Sequence, residues 1–250
     1  MSEAPHLGAR VMTSIIAIVD LETTTLTPET GQVLEVACAL WSIKHSSLIT
    51  AQSWLVAASS NEAEEINGIP VGLLSMGEPW ADVEEEVYHQ ALGASCVVAH
   101  NASFDRSWFK PNMQALPWVC TMDDVKWPKK TGRSLAALAL GHGVGMVDAH
   151  RALPDVLTLV RVFDRVAEMG HDVDAMITRA MRPKVLVRAL VSFAHKDLAK
   201  EMGFRWFPEE KEWRKRVFEE ERATFKFETR EVVVEPDPTL YGAEPVEEIT

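Results

Sequence analysis

Residues 14–19 (SIIAIV) form a short β-branched apolar run that stops on Asp20-Leu21-Glu22. A run of this kind reads as a buried strand. The chain must therefore place it inside a sheet while leaving two carboxylates at its end. Residues i and i+2 of a strand point to the same side, so the side chains of Asp20 and Glu22 converge. The pattern returns further on. Residues 96–99 are a second apolar run, ending on His100-Asn101-Ala102-Ser103-Phe104-Asp105. His150 then precedes Asp155, which opens a segment with apolar residues at 156, 159, 160, 163, 166 and 167. That spacing is one face of a helix.

Taken singly, these pieces say little. Asp82-x-Glu84 repeats the first motif on an acidic helix face, and His-x4-Asp occurs at both 100/105 and 150/155. Order and context carry the information: strand then Asp-x-Glu, strand then His-Asn-x-x-Phe-Asp, loop then His-x4-Asp and a helix. Four carboxylates at the ends of elements are costly unless something positive joins them. Asp20, Glu22, Asp105 and Asp155 are accordingly read as one site for a hard divalent cation, which takes oxygen ligands.

Around these motifs the chain alternates strand and helix signals. Further strands are expected at 33–43 and 48–56, reached through short turns, and helices at 82–92, 103–115, 134–140 and 155–167. This predicts a mixed α/β domain over residues 10–170, followed by a polar linker at 171–182. A small basic β-α-β-β module is expected over 183–220, with a strand at 185–193, a helix at 195–202 and a hairpin of 204–207 with 212–218. Residues 221–250 read as an acidic, Pro- and Glu-rich tail, in part disordered. Charge follows the same division. Residues 1–170 carry 11 basic and 20 acidic side chains, whereas residues 179–216 carry 11 basic and 5 acidic. The formal balance of −12 excludes a uniformly basic nucleic-acid binder but not a local basic patch. Three cysteines with no CxxC argue against a disulfide framework or zinc finger and fit a reducing, cytoplasmic setting. No apolar run is long enough to span a membrane. Gly-x-Ser-x-Gly and P-loop motifs are both missing, which disfavours a serine hydrolase and ATP-driven action.

VDLETTTL, HNASFD and AHRALPD resemble the three motifs of the DEDDh (DnaQ-like) 3′–5′ exonuclease family, over roughly residues 14–167. The resemblance implies a ribonuclease-H-like mixed sheet flanked by helices, two Mg²⁺ ions (Mn²⁺ in substitution), and release of nucleoside 5′-monophosphates from a 3′ end. It assigns Asp20 to both ions, Glu22 and Asp155 to the ion beside the attacking water, Asp105 to the second ion, and His150 to the general base. By the same resemblance Thr23, Leu26, Asn101 and Phe104 hold the terminal nucleotides. Core packing is the competing reading for Leu26 and Phe104, and helix capping for Asn101. Thr25 stands where the family has Gly, in the loop that shapes the 3′-end pocket. His100 reads as a loop-holding residue. Glu35, a lone charge in the second strand, either orients a ligand or marks a strand edge. Trp108, Trp118 and Trp127 are expected in the core rather than on bases.

The segment FAHKDLAKEMGFRWFPEEKEWRKRV interleaves aromatic and basic residues and resembles the small C-terminal domain of exodeoxyribonuclease X-like proteins. Its Lys196, Lys200, Arg205, Lys211, Arg214, Lys215 and Arg216 are candidates for phosphate contact. Its tryptophans are expected to form a small core. The expected partner is a nucleic acid with a 3′ end, single-stranded DNA being favoured. Two alternatives stand beside it: an RNA-trimming exonuclease, and a polymerase-accessory or proofreading protein that contacts a replication or repair partner through the acidic tail. A homodimer is left open.

Overall fold

The computed structural model describes residues 14–146 and 150–232. It divides into two compact units, residues 1–181 and 182–250. The first contains β1 (Ile15–Thr23), β2 (Val33–Ser42), β3 (Ser47–Leu55), α1 (Glu64–Asn67), α2 (Val71–Leu74), α3 (Trp80–Leu92), β4 (Val97–Ala99), α4 (Ala102–Ser107), α5 (Pro111–Gln114), β5 (Trp118–Cys120), α6 (Leu135–Gly141), α7 (Ala152–Glu168) and α8 (Val173–Ala180). The second contains β6 (Val185–Ala189), α9 (Lys196–Glu201), β7 (Arg205–Phe207), β8 (Glu212–Val217) and β9 (Thr229–Glu231).

The five strands of the first unit lie in the order β3-β2-β1-β4-β5. The β1–β2 and β2–β3 pairs are antiparallel, whereas β1–β4 and β4–β5 are parallel. The sheet is therefore mixed, as expected for a ribonuclease-H-like fold. Strand alternation sorts the side chains of β1 and β2 onto two faces. Ile16, Ile18, Ala37, Ala39 and Trp41 share one core with Val156, Leu159, Val160 and Phe163 of α7. Small residues at 37 and 39 leave room for that helix. Ala17, Val19, Val36 and Cys38 share the other core with Val83 and Val87 of α3 and with Trp108, Phe109 and Met113. Covering both faces explains why β1 and β2 are nearly continuous apolar runs.

Several elements depart from the sequence expectation. The single helix expected at 103–115 is two short ones. Lys110 is extended (φ −64°, ψ 162°) because Pro111 follows it, and the chain restarts with Pro111 in the first turn of α5. Helix α7 starts three residues before 155, with Pro154 accommodated in its first turn. Residues 171–182 are not a plain linker: they contain α8, whose N-cap Asp172 accepts from Ala175 N–H at 2.9 Å. Val173, Ile177 and Ala180 of α8 are buried in the α7 core. β5, only three residues long, carried no signal strong enough to distinguish it from a turn.

In the second unit the strand order is β7-β8-β6-β9. Val187, Ala199, Phe204 and Val217 form its small core, with Trp213, Phe225 and Phe227 packed against them. The expected strand at 185–193 ends at Ala189, and Phe193–His195 is a 3₁₀ turn instead. The boundary expected at 220 falls short. Residues 219–224 form another 3₁₀ turn, and β9 pairs with β6 to complete the sheet. Of the tail expected over 221–250 to be in part disordered, residues 233–250 lie outside the described residues. Likewise, of the expected domain span 10–170, residues 10–13 and 147–149 are not described.

Phe163 is fully buried, with its ring 5.5 Å from Trp41 and 5.3 Å from Trp127. Phe163→Ala should cost about 3–5 kcal/mol of stability. Urea unfolding followed by tryptophan fluorescence reads this as a lower midpoint; an unchanged midpoint would show that the ring is not part of the cooperative core.

Candidate active site

The site forms where the α7-facing side of β1 runs out of apolar residues. Asp20 and Glu22 continue the stripe of Ile16 and Ile18, and so emerge beside the first turn of α7, which carries Asp155. Asp20, Glu22 and Asp155 each offer a carboxylate oxygen, and these oxygens lie within 4.8 Å of one another. A register shift between Glu22 and Thr23 ends the regular pairing with β2 at this point. β4, parallel to β1, ends next to it and leads into α4, whose first turn carries Asp105. Asp105 is buried, and its carboxylate accepts from the backbone N–H of Leu21. It is an electrostatic neighbour of Asp20 and Glu22, but it is not one of the three acids whose oxygens converge.

Burial and the crowding of like charge act together on these acids. Burial, and then the negative charges of Asp105, Glu22, Asp155 and Glu35, push the Asp20 carboxyl well above the usual carboxylate range. Burial, Asp155 and Glu35 push Glu22 up to about 7, against a smaller lowering by Arg151. Burial likewise raises Asp105 and Asp155. One oxygen of Asp155, Oδ2, accepts from the backbone N–H of His150 at 3.3 Å. The other, Oδ1, is buried and has no hydrogen-bond partner.

His150 is exposed and has φ = 67°, in the left-handed region. That conformation turns the chain abruptly into α7. The turn is fixed by Glu35, the cross-strand neighbour of Glu22 on β2. Glu35 is buried and accepts both arms of the Arg151 guanidinium at 2.9 Å, and the N–H of Ala152 at 3.1 Å. The same carboxylate thus neutralises Arg151 and caps the first turn of α7. Sequence reasoning singled out Glu35 but not its partner. The signal was present, because a charge in a strand buried on both faces demands one.

The nucleotide-binding candidates lie close in the chain to these acids, Thr23 and Leu26 after Glu22, and Asn101 and Phe104 before Asp105. Leu26 is 83% exposed, so core packing does not account for it. Phe104 is half-buried, edge-on to Trp108 at 6.0 Å. Asn101 adopts φ = 80° at the start of α4, and its side chain makes no capping hydrogen bond to that helix. Thr23 donates to the carbonyl of Thr25 at 2.6 Å and so braces the loop. The loop accepts Thr25 in place of glycine because position 31 is glycine: a Cβ there would lie 2.1 Å from the Thr25 hydroxyl and 2.9 Å from the Trp108 ring. His100 is engaged through both ring nitrogens, with the Thr121 hydroxyl at 2.9 Å and the Arg133 carbonyl at 2.8 Å. Trp108 is buried, and Trp118 and Trp127 donate to backbone carbonyls of Met113 and Thr121, as core tryptophans do.

Known proteins resemble the two units differently. Residues 185–232 match a family described as a domain of unknown function (DUF8626). The PolC-type DNA polymerase III of Thermotoga petrophila is 31% identical over 166 residues, 61% of this chain and 12% of the relative. That of Thermotoga maritima is 30% identical over 167 residues, again 12% of the relative. The chain therefore spans about an eighth of the length of these curated relatives. Among solved structures, exonuclease X in complex with 5′-overhanging duplex DNA is 26% identical, with a TM-score of 0.52 over 66% of this chain and 99% of that one. The nuclease domain of 3′hExo, a DEDDh family member bound to rAMP, shares the fold at 16% identity and a TM-score of 0.54, over 66% of this chain and 96% of that one. The likeness to exonuclease X takes in nearly the whole of that enzyme, and the N-terminal unit shares the fold of 3′hExo, a DEDDh family member, with an acidic cluster at the end of β1.

Proposed function

We propose that this chain removes nucleotides one at a time from the 3′ end of single-stranded DNA, releasing nucleoside 5′-monophosphates, with Asp20, Glu22, Asp105 and Asp155 holding two Mg²⁺ ions. The observation that supports this most directly is the convergence of Asp20, Glu22 and Asp155 with a buried, unpartnered Asp155 Oδ1. The donor set fits the ions. It is all oxygen, as Mg²⁺ and Mn²⁺ prefer. Its carboxyl groups are held above their ordinary range by burial and, for Asp20, Glu22 and Asp105, by neighbouring acids as well, and the nearby arginine is paired with Glu35. When bound, the ions supply positive charge to the phosphodiester and to the departing 3′ oxygen.

The rest of the proposal concerns side chains of the chain itself. His150 is exposed beside Asp155, and its imidazole accepts the proton of the attacking water. The water oxygen bonds to phosphorus, the bond from phosphorus to the 3′ oxygen breaks, and that oxygen takes a proton from solvent, so the shortened strand leaves with a 3′-hydroxyl. Asp155 orients His150 by accepting its backbone N–H, and Glu35 fixes both by anchoring Arg151 and Ala152. Leu26 and Phe104 press against the terminal bases, with Thr23 and Asn101 around the 3′ nucleotide. DNA is favoured over RNA because the exonuclease X likeness, the one structural match above that exceeds a quarter identity, is to a DNA complex. Among the described residues no helix is long and apolar enough to cross a membrane.

Digestion of matched 5′-labelled DNA and RNA oligonucleotides, with Mg²⁺ and with EDTA, tests the reading. Stepwise shortening of DNA from the 3′ end, lost in EDTA, is expected. Faster shortening of RNA would move the substrate to RNA, and cutting that survives EDTA would overturn the metal site. Asp20→Ala should abolish turnover, and His150→Ala should lower kcat by about 10²-fold or more. A His150→Ala enzyme with full rate at neutral pH would remove His150 from the base role.

The raised carboxyl groups also set a stability trend. Because Glu22 titrates near 7 and Asp20 and Asp155 are also shifted upward, the folded, metal-free chain binds more protons than the unfolded one between the ordinary carboxylate range and about pH 7. Stability in EDTA should therefore fall as pH rises from 5 to 8. Mn²⁺ should raise Tm more at pH 8 than at pH 5, since the cation binds the ionised groups. Thermal melts at the two pH values check this; an equal Mn²⁺ effect at both would contradict it.

Glu35→Ala should lose about 1–3 kcal/mol, the usual cost of leaving hydrogen-bonding groups, here the half-buried Arg151 and the buried Ala152 N–H, without their acceptor. Chemical denaturation gives that figure, and the kinetics should show kcat reduced more than KM. A variant of wild-type stability would mean that the Glu35–Arg151 pair does not hold the start of α7.

A further inference from the structure

The second unit carries an arrangement that its sequence does not announce. Residues directly opposite each other in an antiparallel sheet share a face. Arg205 of β7 pairs with Arg214 of β8, Arg214 with Arg188 of β6, and Arg188 with Arg230 of β9. Four arginines thus form one continuous row across all four strands. Val187 and Val217, both fully buried, point the other way, into the core with Ala199 and Phe204. The arginine row lies on the opposite face. Leu186, Arg216, Phe207 and Glu212 share that face, so five of its eight strand residues are arginine and one is acidic.

Such a row is unfavourable by itself, because like charges directly opposite each other repel. Two carboxylates moderate it: Glu212 contacts Arg188 and Arg214, and Glu210 contacts Arg214 at 2.8 Å. Arg205, Arg216 and Arg230 are exposed. Phe207 is 38% exposed, and the Arg214 guanidinium lies 5.3 Å from the centre of its ring. Strands spaced about 4.8 Å apart make the row about 14 Å long. A linear anion with regularly repeated charge matches it, and the planar fork of arginine suits phosphate. An exposed aromatic beside the row adds a surface on which a base can stack.

We infer that the Arg205–Arg214–Arg188–Arg230 face of the second unit binds the phosphate backbone of the nucleic acid that the first unit degrades. This rests on the nuclease reading of the first unit, and it goes beyond that reading by giving the DUF8626 region a role in holding substrate. It also revises the sequence-level choice of contacts. Arg188 and Arg230 join the surface, whereas Lys215 leaves it, since its ammonium donates to the Met202 carbonyl on the core side.

The test is fluorescence anisotropy of a 5′-fluorescein oligothymidylate with the full chain in EDTA, repeated across a range of salt concentrations. The double variant R205A/R230A removes the two exposed ends of the row. Its Kd should rise at least fivefold, and the slope of log K against log salt should shrink by roughly 1.4, at about 0.7 per lost single-strand phosphate contact. R216A, a single exposed change next to the row, should shrink the slope by roughly 0.7 and gives an independent reading should the double variant not fold by circular dichroism. R205K/R230K should recover most of the affinity. Unchanged Kd and slope in folded R205A/R230A and in R216A would overturn the proposal. So would polyglutamate or anionic phospholipid vesicles competing as well as unlabelled oligonucleotide does, because the face would then recognise charge alone. Binding is read without turnover. A wild-type chain that binds through this face but never hydrolyses DNA would therefore count against the nuclease reading and leave this one standing.

Discussion

Carboxylates brought within 4.8 Å of one another repel, and the N-terminal unit is organised to hold them there regardless. A sheet covered on both faces supplies the rigidity. β1 is clamped between β2 and β4, and its α7-facing side is packed until the stripe gives way to Asp20 and Glu22. Helix α7, which fixes Asp155, lies against the same stripe along its length. The repulsion cannot be relieved by moving any one acid without unpacking an element that carries part of the core. That is why the upward displacement of these acids is a property of the fold as much as of the site.

Glu35 has a different place in this economy of charge. It adds a further negative group near Glu22, and its charge contributes to raising Glu22. Its own compensation comes from Arg151 and from the amide at the start of α7. The ion pair thus takes up an arginine that would otherwise be a competing counter-charge for the cluster. It leaves the remaining acids to a ligand from outside the chain.

Much of the site was legible because its residues lie at the ends of elements with clear periodicity. Alternation placed Asp20 and Glu22 on one side of a strand, and the apolar spacing after Asp155 marked a helix. The Glu35–Arg151 pair was half legible: a lone charge in VLEVACALW announces a partner without naming it. Three-residue strands such as β5 and β9 have too few positions for a pattern to show. The polarity of 171–182 concealed α8, whose buried side is only three residues wide. The arginine row was beyond reach because register depends on which residues the turns bring opposite one another, and the four arginines are scattered from 188 to 230.

The loop after β1 holds a smaller dependency. Thr25 and Gly31 occupy one another's space: the hydroxyl of the first fills the volume that any β-carbon at the second would need. Position 31 cannot gain a side chain on its own. A lineage that enlarged residue 31 would first have to shrink residue 25 and give way at Trp108, so sequence change in this stretch is confined to coordinated steps. Bulk at the second position thus becomes possible only after bulk at the first has gone.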